Sequence, residues 1–118
     1  MGETVEDRID FLCTLQELGP VEVPINFLNP RPGTPLADRS IVDAVEALRF
    51  VAMARLALPH ALVRLAGGRE ITLQGLQDLG MRSGASGIVL GAYLTTAGRK
   101  DDEDFAMLER TGFKILSD

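Results

Sequence analysis

Apolar residues recur at every third or fourth position in four parts of the chain, and this spacing predicts four helices. The predicted helices extend over about residues 4–18, 43–58, 72–83 and 101–110. Thr4 is followed three residues later by Asp7, which is typical of a capping box at the start of a helix. Asp43 and Glu46 repeat this spacing at the second helix, so both helices are predicted to begin with a side-chain cap.

The third predicted helix follows a pair of glycines. Thr72 is its predicted cap. Its apolar stripe consists of Leu73, Leu76 and Leu79. Ser83-Gly84 is predicted to end it.

Three short apolar runs separate the helices and predict strands over about residues 21–28, 61–66 and 88–90. These runs lack a regular alternation of apolar and polar residues, which is typical of parallel strands covered on both faces. A helix followed by three strand–helix units predicts an α/β fold that forms one domain over residues 1–118. Such units occur in doubly wound sheets and in (β/α)8 barrels, and in both architectures ligands bind at the carboxyl ends of the strands.

Polar residues mark each predicted strand or the segment after it. Asn26 lies in the first strand, Arg64 lies between Val63 and Leu65 in the second, and Thr95-Thr96 follows the third. A guanidinium between apolar neighbours needs a carboxylate, a phosphate or another acceptor, because burying an isolated charge is costly. The carboxyl ends of the strands are therefore the predicted site.

Each of these residues also has an ordinary structural explanation. Arg64 can be half of a structural ion pair, and Asn26 can bond to backbone instead of a ligand. Thr95 and Thr96 can be turn or cap residues. Arg69 lies beyond the second strand and is expected to contact solvent or a helix end. Taken alone, these residues support only a ligand-binding α/β unit.

Composition narrows the class of protein. Of 118 residues, 46% are hydrophobic and 25% are charged, which is ordinary for a soluble globular domain. The net charge of −5 argues against a nucleic-acid or an anionic membrane partner, both of which need clustered cations. No apolar run approaches the roughly 18 residues of a membrane span, and the N-terminal residues do not resemble a signal peptide, so a cytoplasmic location is expected.

Cys13 is the single cysteine of the sequence. It excludes an intrachain disulfide, and one thiol cannot by itself hold zinc or an iron–sulfur cluster. Its apolar surroundings predict a buried helical cysteine.

Four segments of the chain carry a resemblance to a known family. They are residues 23–30 (VPINFLNP), 32–36 (PGTPL), 63–70 (VRLAGGRE) and 93–96 (YLTT). In order and spacing they resemble the C-terminal part of biotin synthases, including the region known as the biotin and thiamin synthesis associated domain. Residues 1–4 (MGET) resemble the end of that family's glycine-rich motif after the fifth barrel strand, so the chain is expected to begin within a longer protein.

The resemblance implies a fold and an activity. Biotin synthases are radical S-adenosylmethionine enzymes on a (β/α)8 barrel, and they insert sulfur into dethiobiotin with a [4Fe–4S] cluster and a sacrificial [2Fe–2S] cluster. This chain would then be about three strand–helix units at the C-terminal end of such a barrel. The complete enzyme would be a homodimer that includes the missing N-terminal half and has no nucleic-acid or membrane partner.

The resemblance also implies roles for single residues. Arg64 matches the arginine that ligates the [2Fe–2S] cluster. Asn26 matches an asparagine that contacts the ureido ring of dethiobiotin, and Thr95 with Thr96 match a pair that receives its carboxylate. Met1 matches an apolar residue that packs on the adenine of S-adenosylmethionine.

The chain departs from the family at its cysteines and near Arg64. The C-x-x-x-C-x-x-C motif and the three cysteine ligands of the [2Fe–2S] cluster are absent from the sequence, and Cys13 matches none of them. Where the family often has Asn-Ser, this chain has Ser86-Gly87. The isolated chain is therefore expected to bind no cluster and to be inactive alone.

Two other functions stay open. The chain can be a stand-alone binding or complementing module without chemistry of its own. It can also belong to a related radical enzyme of thiamin or hydrogenase-cofactor assembly, although Asn26 and Thr95-Thr96 fit dethiobiotin better.

Overall fold

The computed structural model describes residues 1–91 and 99–114 of the chain. Its strands are β1 (Glu22–Ile25), β2 (Leu62–Leu65) and β3 (Gly87–Ile88). Its helices are α1 (Val5–Leu18), α2 (Ala44–Ala57), α3 (Arg69–Leu73), α4 (Gln77–Arg82) and α5 (Asp101–Thr111), with a 3-10 helix, Gln74–Leu76, between α3 and α4. The strands form one open parallel sheet in the order β1-β2-β3, which confirms the predicted α/β class. No helix of this described part is long and apolar enough to cross a membrane.

The first two helices begin with the predicted caps. The Thr4 hydroxyl accepts a hydrogen bond from the Asp7 backbone N–H at 3.1 Å, and the Thr4 N–H donates to the Asp7 carboxylate at 2.7 Å. Asp43 Oδ1 accepts from the backbone N–H groups of Val45 and Glu46 at 2.9 and 3.3 Å. These bonds satisfy N–H groups that have no partner within the helix, so the sequence pattern located both starts correctly.

The predicted start of the third helix at Thr72 is wrong. Helix α3 begins at Arg69, directly after Gly68, whose φ is 80°. A β-carbon on Gly68 would stand 2.1 Å from the carbonyl oxygen of Phe27, so this close approach requires glycine. The tight turn starts the helix early and leaves Thr72 inside it, where the side chain is buried instead of capping.

The predicted leucine stripe of this helix is only partly buried. Leu73 is fully buried, whereas Leu76 and Leu79 are 39% and 46% exposed. The chain leaves α3 at Gln74, which has a positive φ of 46°, and passes through the 3-10 helix before α4 begins. Because the helix is interrupted, a single helical period does not place the three leucines on one face.

The strands are shorter than the apolar runs that predicted them. Strand β3 consists of two residues, and Arg64 of β2 lies opposite Gly87. The ladder continues beyond the strand, since the Val89 N–H donates to the Leu65 carbonyl oxygen at 2.9 Å. The predicted parallel pairing is confirmed, and the predicted bounds are corrected by one to three residues.

The described helices cover only one face of the sheet. Val63 and Leu65 of β2 are fully buried in one core with Val51 of α2, whereas Leu62 is 43% exposed. Successive side chains of a strand point to opposite faces, so this alternation separates a covered face from an open one. Within the described residues the strands are therefore covered on one face only, which agrees with about three strand–helix units that form an open sheet. We use the term open face for the side of the sheet that carries Glu22, Pro24, Leu62 and Arg64.

The predicted burial of Cys13 is also wrong. Cys13 is exposed on α1, while its neighbour Leu12 is the buried residue of that helix. Since α1 contacts the rest of the described chain along one side only, an apolar residue one position away from the contact is left at the surface.

Candidate functional site

Arg64 lies on the open face and is not buried, which corrects the interpretation of a guanidinium enclosed by apolar neighbours. Its side chain is 40% exposed, and its Nη2 atom lies 3.0 Å from Oε2 of Glu22, which is 39% exposed. Val63 and Leu65 adjoin it in sequence but point to the opposite face. The carboxylate partner that the sequence required is therefore present in the chain, on the neighbouring strand.

Asn26 follows β1 and bonds to the turn after β2. Its Oδ1 atom accepts a hydrogen bond from the Gly67 N–H at 3.0 Å, and the Phe27 N–H donates to the Gly67 carbonyl oxygen at 2.8 Å. A backbone N–H can only donate, so the amide of Asn26 must turn its oxygen toward Gly67 and its Nδ2 group away. That Nδ2 group makes no hydrogen bond within residues 1–91 and 99–114, and the side chain is exposed. Asn26 therefore satisfies backbone and still offers donors.

A cavity of about 650 Å³ lies beside the carboxyl end of β1. Met1 and Asn26 both line it, together with aromatic side chains of α1, α2 and the segment after β1, namely Phe11, Phe50 and Phe27. Arg64 is not among its lining residues. Of the three predicted site residues that lie in the described part of the chain, Met1 and Asn26 thus line one cavity and Arg64 lies on the open face.

Charged residues of the first helix also line this cavity. Arg8 lies 3.2 Å from Glu3 and 3.5 Å from Glu46. The cavity therefore combines apolar walls with ionised groups that already have partners.

Comparison with known families identifies the domain. Residues 24–114 match the model of the Biotin and Thiamin Synthesis associated domain. The chain belongs to this domain family. The matched region includes Asn26 and Arg64 and leaves Met1 outside it.

The relatives of this domain include biotin synthases. The chain is 51% identical over 116 residues to biotin synthase 1 of Corynebacterium diphtheriae, 54% over 113 residues to that of Salinispora tropica, and 52% over 117 residues to that of Acidothermus cellulolyticus. The alignments cover 98%, 92% and 98% of this chain, and 33%, 33% and 35% of the relatives. The chain thus spans about a third of the length of the curated relatives it matches, and the similarity is to their C-terminal third.

The described residues of the domain do not by themselves fit an iron–sulfur cluster. Such clusters are held mainly by cysteine thiolates. Residues 1–91 and 99–114 contain no group of three or more His, Cys, Asp or Glu side chains that could hold a metal, and Cys13 lies on the outside of α1. Arg64 could supply at most one ligand, and its guanidinium is paired with Glu22.

Two of the predicted site residues cannot be located. Thr95 and Thr96 lie outside the described residues. The element that follows them, α5, carries acidic residues throughout its first turn, which is favourable for the helix dipole.

The arginine that is buried is Arg69, for which the sequence pattern predicted no buried role. Arg69, which was expected to contact solvent or a helix end, is 1% exposed. Its guanidinium donates from both Nη atoms to the carboxylate of Asp104 and from Nη1 to Oε1 of Gln77. Asp104 and Gln77 are buried as well, so this cluster joins α3, α4 and α5 inside the domain.

A signal for this cluster is present in the sequence of α5. Asp104 lies three and four residues before Met107 and Leu108, which place it on the apolar side of that helix. A carboxylate on an apolar helix face needs a buried cation, and Arg69 is that cation. The pattern of α5 thus indicates a buried cation, while the fold determines that it is Arg69.

Proposed function

We propose that the chain works as the C-terminal segment of a biotin synthase, in which its strands complete a (β/α)8 barrel. The open face carries this proposal, because an ion pair and an exposed leucine occupy the side of a parallel sheet that no described helix covers. Parallel sheets of this class are normally covered on both faces. The remaining two thirds of a protein like the biotin synthase relatives would close the barrel around this face.

In the complete enzyme, dethiobiotin would be converted to biotin with a [4Fe–4S] cluster, a [2Fe–2S] cluster and S-adenosylmethionine, whose radical chemistry activates the substrate for sulfur insertion. The resemblance assigns Asn26, Thr95 and Thr96 to dethiobiotin, Met1 to the adenine and Arg64 to the [2Fe–2S] cluster. The free Nδ2 group of Asn26 and the partly exposed guanidinium of Arg64 support two of these roles. The cysteine ligands must come from the other part of the enzyme, which we expect to dimerise in the cytoplasm.

The test is to assemble this chain with the N-terminal two thirds of the Acidothermus cellulolyticus relative. We expect biotin from dethiobiotin under anaerobic conditions only when both parts are present. Leu62→Asp should prevent assembly because Leu62 lies on the open face. Leu56→Asp is the matched control, since Leu56 is 82% exposed on α2 and the residue should tolerate a charge.

Two outcomes would contradict this proposal. Two folded parts that neither associate nor make biotin would exclude it, and so would full biotin formation by the Leu62→Asp assembly. Anaerobic reconstitution of the isolated chain with iron and sulfide should give no stoichiometric cluster absorption, because one thiol cannot hold a cluster.

A second function is favoured by the cavity, which this chain forms from its own residues. About 650 Å³ with aromatic walls and a few polar groups is typical of a small-molecule site, so a stand-alone binding module would use it. Calorimetry with the isolated chain distinguishes the two functions. Dethiobiotin binding that is lost in Phe50→Ala would favour the module, whereas binding only after assembly favours the enzyme segment.

A further inference from the structure

The buried cluster around Arg69 connects two parts of the domain that are distant in sequence. Arg69 and Asp104 are 1% and 0% exposed, and the two carboxylate oxygens of Asp104 accept from the two Nη atoms of Arg69. This two-point geometry fixes the guanidinium plane as well as its position. Nη1 also donates to the amide oxygen of Gln77, and Nε lies 3.6 Å from Oε1 of Glu70. The first residue of α3 is therefore held at a defined place against α5.

Arg69 also directly follows the turn that is hydrogen-bonded to Asn26. Gly67 donates its N–H to Asn26 Oδ1 and accepts from the Phe27 N–H, and Gly68 lies against the Phe27 carbonyl. Arg69 comes directly after these glycines and starts α3. The turn is thus bonded to the end of β1 on one side and anchored by the Arg69 guanidinium on the other.

A buried ion pair is weak evidence for a gain in stability. Taking two charges out of water is costly, and well-packed apolar side chains of similar volume often stabilise a core equally well or better. The two-point contact requires the guanidinium of α3 and the carboxylate of α5 to meet in one arrangement. The arrangement specified here includes the direction of the Gly67 N–H, which faces the Asn26 amide.

We propose that Arg69 is a positioning residue for the substrate site: its ion pair with Asp104 holds the Gly67 turn so that Asn26 presents Nδ2 donors to a carbonyl-type acceptor on the ligand. The substrate assignment rests on the proposed function, whereas the coupling between Arg69 and Gly67 does not. A ligand that offers a carbonyl oxygen at this point fits, and one that offers only donors does not.

The first experiment follows the Gly67 amide by NMR hydrogen exchange in the full chain. Arg69→Met should raise the Gly67 exchange rate roughly tenfold, because the turn loses its anchor and opens locally. Gln77→Met removes one partner of Arg69 and should give a smaller rise, which keeps the test usable if Arg69→Met does not fold. Arg69→Lys keeps the charge without the two-point geometry and should restore protection only in part.

Two controls separate positioning from loss of stability. Arg110 of α5 pairs with Asp78 of α4 at 3.1 Å, but at the surface, so Arg110→Met should change Gly67 exchange by less than about twofold. Val51→Ala removes buried volume from α2 and should lower the melting temperature without a selective effect at Gly67. Equal exchange at Gly67 in Arg69→Met and wild type would overturn the proposal.

The second experiment measures dethiobiotin kinetics in the assembled enzyme. Arg69→Met should raise KM roughly tenfold with a smaller change in kcat, as expected when a ground-state binding contact is lost. A KM shift no larger than that of Val51→Ala at the same loss of melting temperature would also overturn the proposal. An assembly that makes no biotin even as wild type would refute the proposed function, and Gly67 exchange would still decide the role of Arg69.

Discussion

Arg55 of α2 donates a hydrogen bond from its Nε atom to the carbonyl oxygen of Gly84 at 2.8 Å, and so joins this helix to the turn before β3. Its Nη1 atom also donates to the carbonyl oxygens of Leu58 and Ala61 at 3.1 and 2.9 Å, and Nη2 donates to the Ser86 hydroxyl. A cation at a helix C-terminus interacts favourably with the exposed carbonyls. Arg55 thus ties the amino ends of β2 and β3 to α2, opposite the predicted site.

The first prediction is that Arg55→Met lowers the free energy of unfolding by about 1–3 kcal/mol, since several carbonyls lose a charged donor. Arg49→Met on the same helix is the control. Arg49 is 69% exposed and pairs only with Glu46 among the described residues, so its replacement should change stability by less than about 1 kcal/mol. Urea denaturation measures both, and equal losses would show that the Arg55 contacts contribute little.

The second prediction concerns the glycine before α3. Gly68→Ala should destabilise the chain by roughly 2 kcal/mol or more, because alanine must adopt a positive φ and its β-carbon would meet the Phe27 carbonyl. The matched variant is Gly87→Ala in β3, where a β-carbon meets nothing within 4 Å. That variant should be neutral or stabilising by up to about 1 kcal/mol. Similar thermal stability of the two variants would contradict this reading of the turn.

The order of elements was predictable from the sequence because helical spacing and capping side chains are local signals. Thr4 with Asp7 and the acid at Asp43 located two helix starts to within a residue. The start of α3 was not predictable in this way, since it depends on the close approach of Gly68 to Phe27, forty-one residues earlier in the chain. No pattern within a single helix contains that contact.

The positions of the candidate residues were predictable only in part, for a similar reason. Asn26 was expected within the first strand and lies directly after it, where its amide oxygen bonds to backbone as one of its two expected roles required. Arg64 was identified as the unusual arginine from its neighbours in sequence, but alternate residues of a strand face opposite ways and its own side is open. The buried arginine, Arg69, is revealed only by its partner Asp104 on another helix.

The third prediction is a pH effect at the start of α1. The pKa of Asp7 is lowered by hydrogen bonds from the backbone N–H of Thr4 and then from its hydroxyl. The pKa of Asp7 is lower in the folded state than in the unfolded state. The two hydrogen bonds therefore contribute fully to the free energy of unfolding at pH values above the ordinary aspartate pKa of about 3.9. This contribution is lost as the pH falls through the lower folded value.

Thr4→Val should therefore raise the pKa of Asp7 toward its ordinary value, as followed by NMR titration of the carboxyl carbon. Part of the pKa shift should persist, because its larger contribution comes from the hydrogen bond of the Thr4 backbone N–H, which the variant keeps. Thr14→Val is the control on the same helix, since the Thr14 hydroxyl bonds to the Asp10 carbonyl oxygen and not to Asp7. An unchanged Asp7 titration in Thr4→Val would show that the hydroxyl does not contribute.

The last prediction separates the two roles of Arg64. In the isolated chain, Arg64→Met should change the free energy of unfolding by less than about 1 kcal/mol, because its ion pair with Glu22 is well exposed to solvent. A buried structural pair would instead cost roughly 3–5 kcal/mol when one partner is removed. The isolated chain therefore tests stability without any contribution from a cluster.

If Arg64 ligates the [2Fe–2S] cluster as proposed above, the same variant in the assembled enzyme should shift the absorption spectrum and reduction potential of that cluster, because ligand identity and local charge set both properties. Glu22→Gln is the control, since it removes the carboxylate that pairs with Arg64 and keeps the guanidinium. It should leave the cluster bound with the same ligands and change the potential less than Arg64→Met does. If both variants give wild-type spectra and potentials, Arg64 is only the partner of Glu22, and the resemblance has assigned it a role that it does not have in this protein.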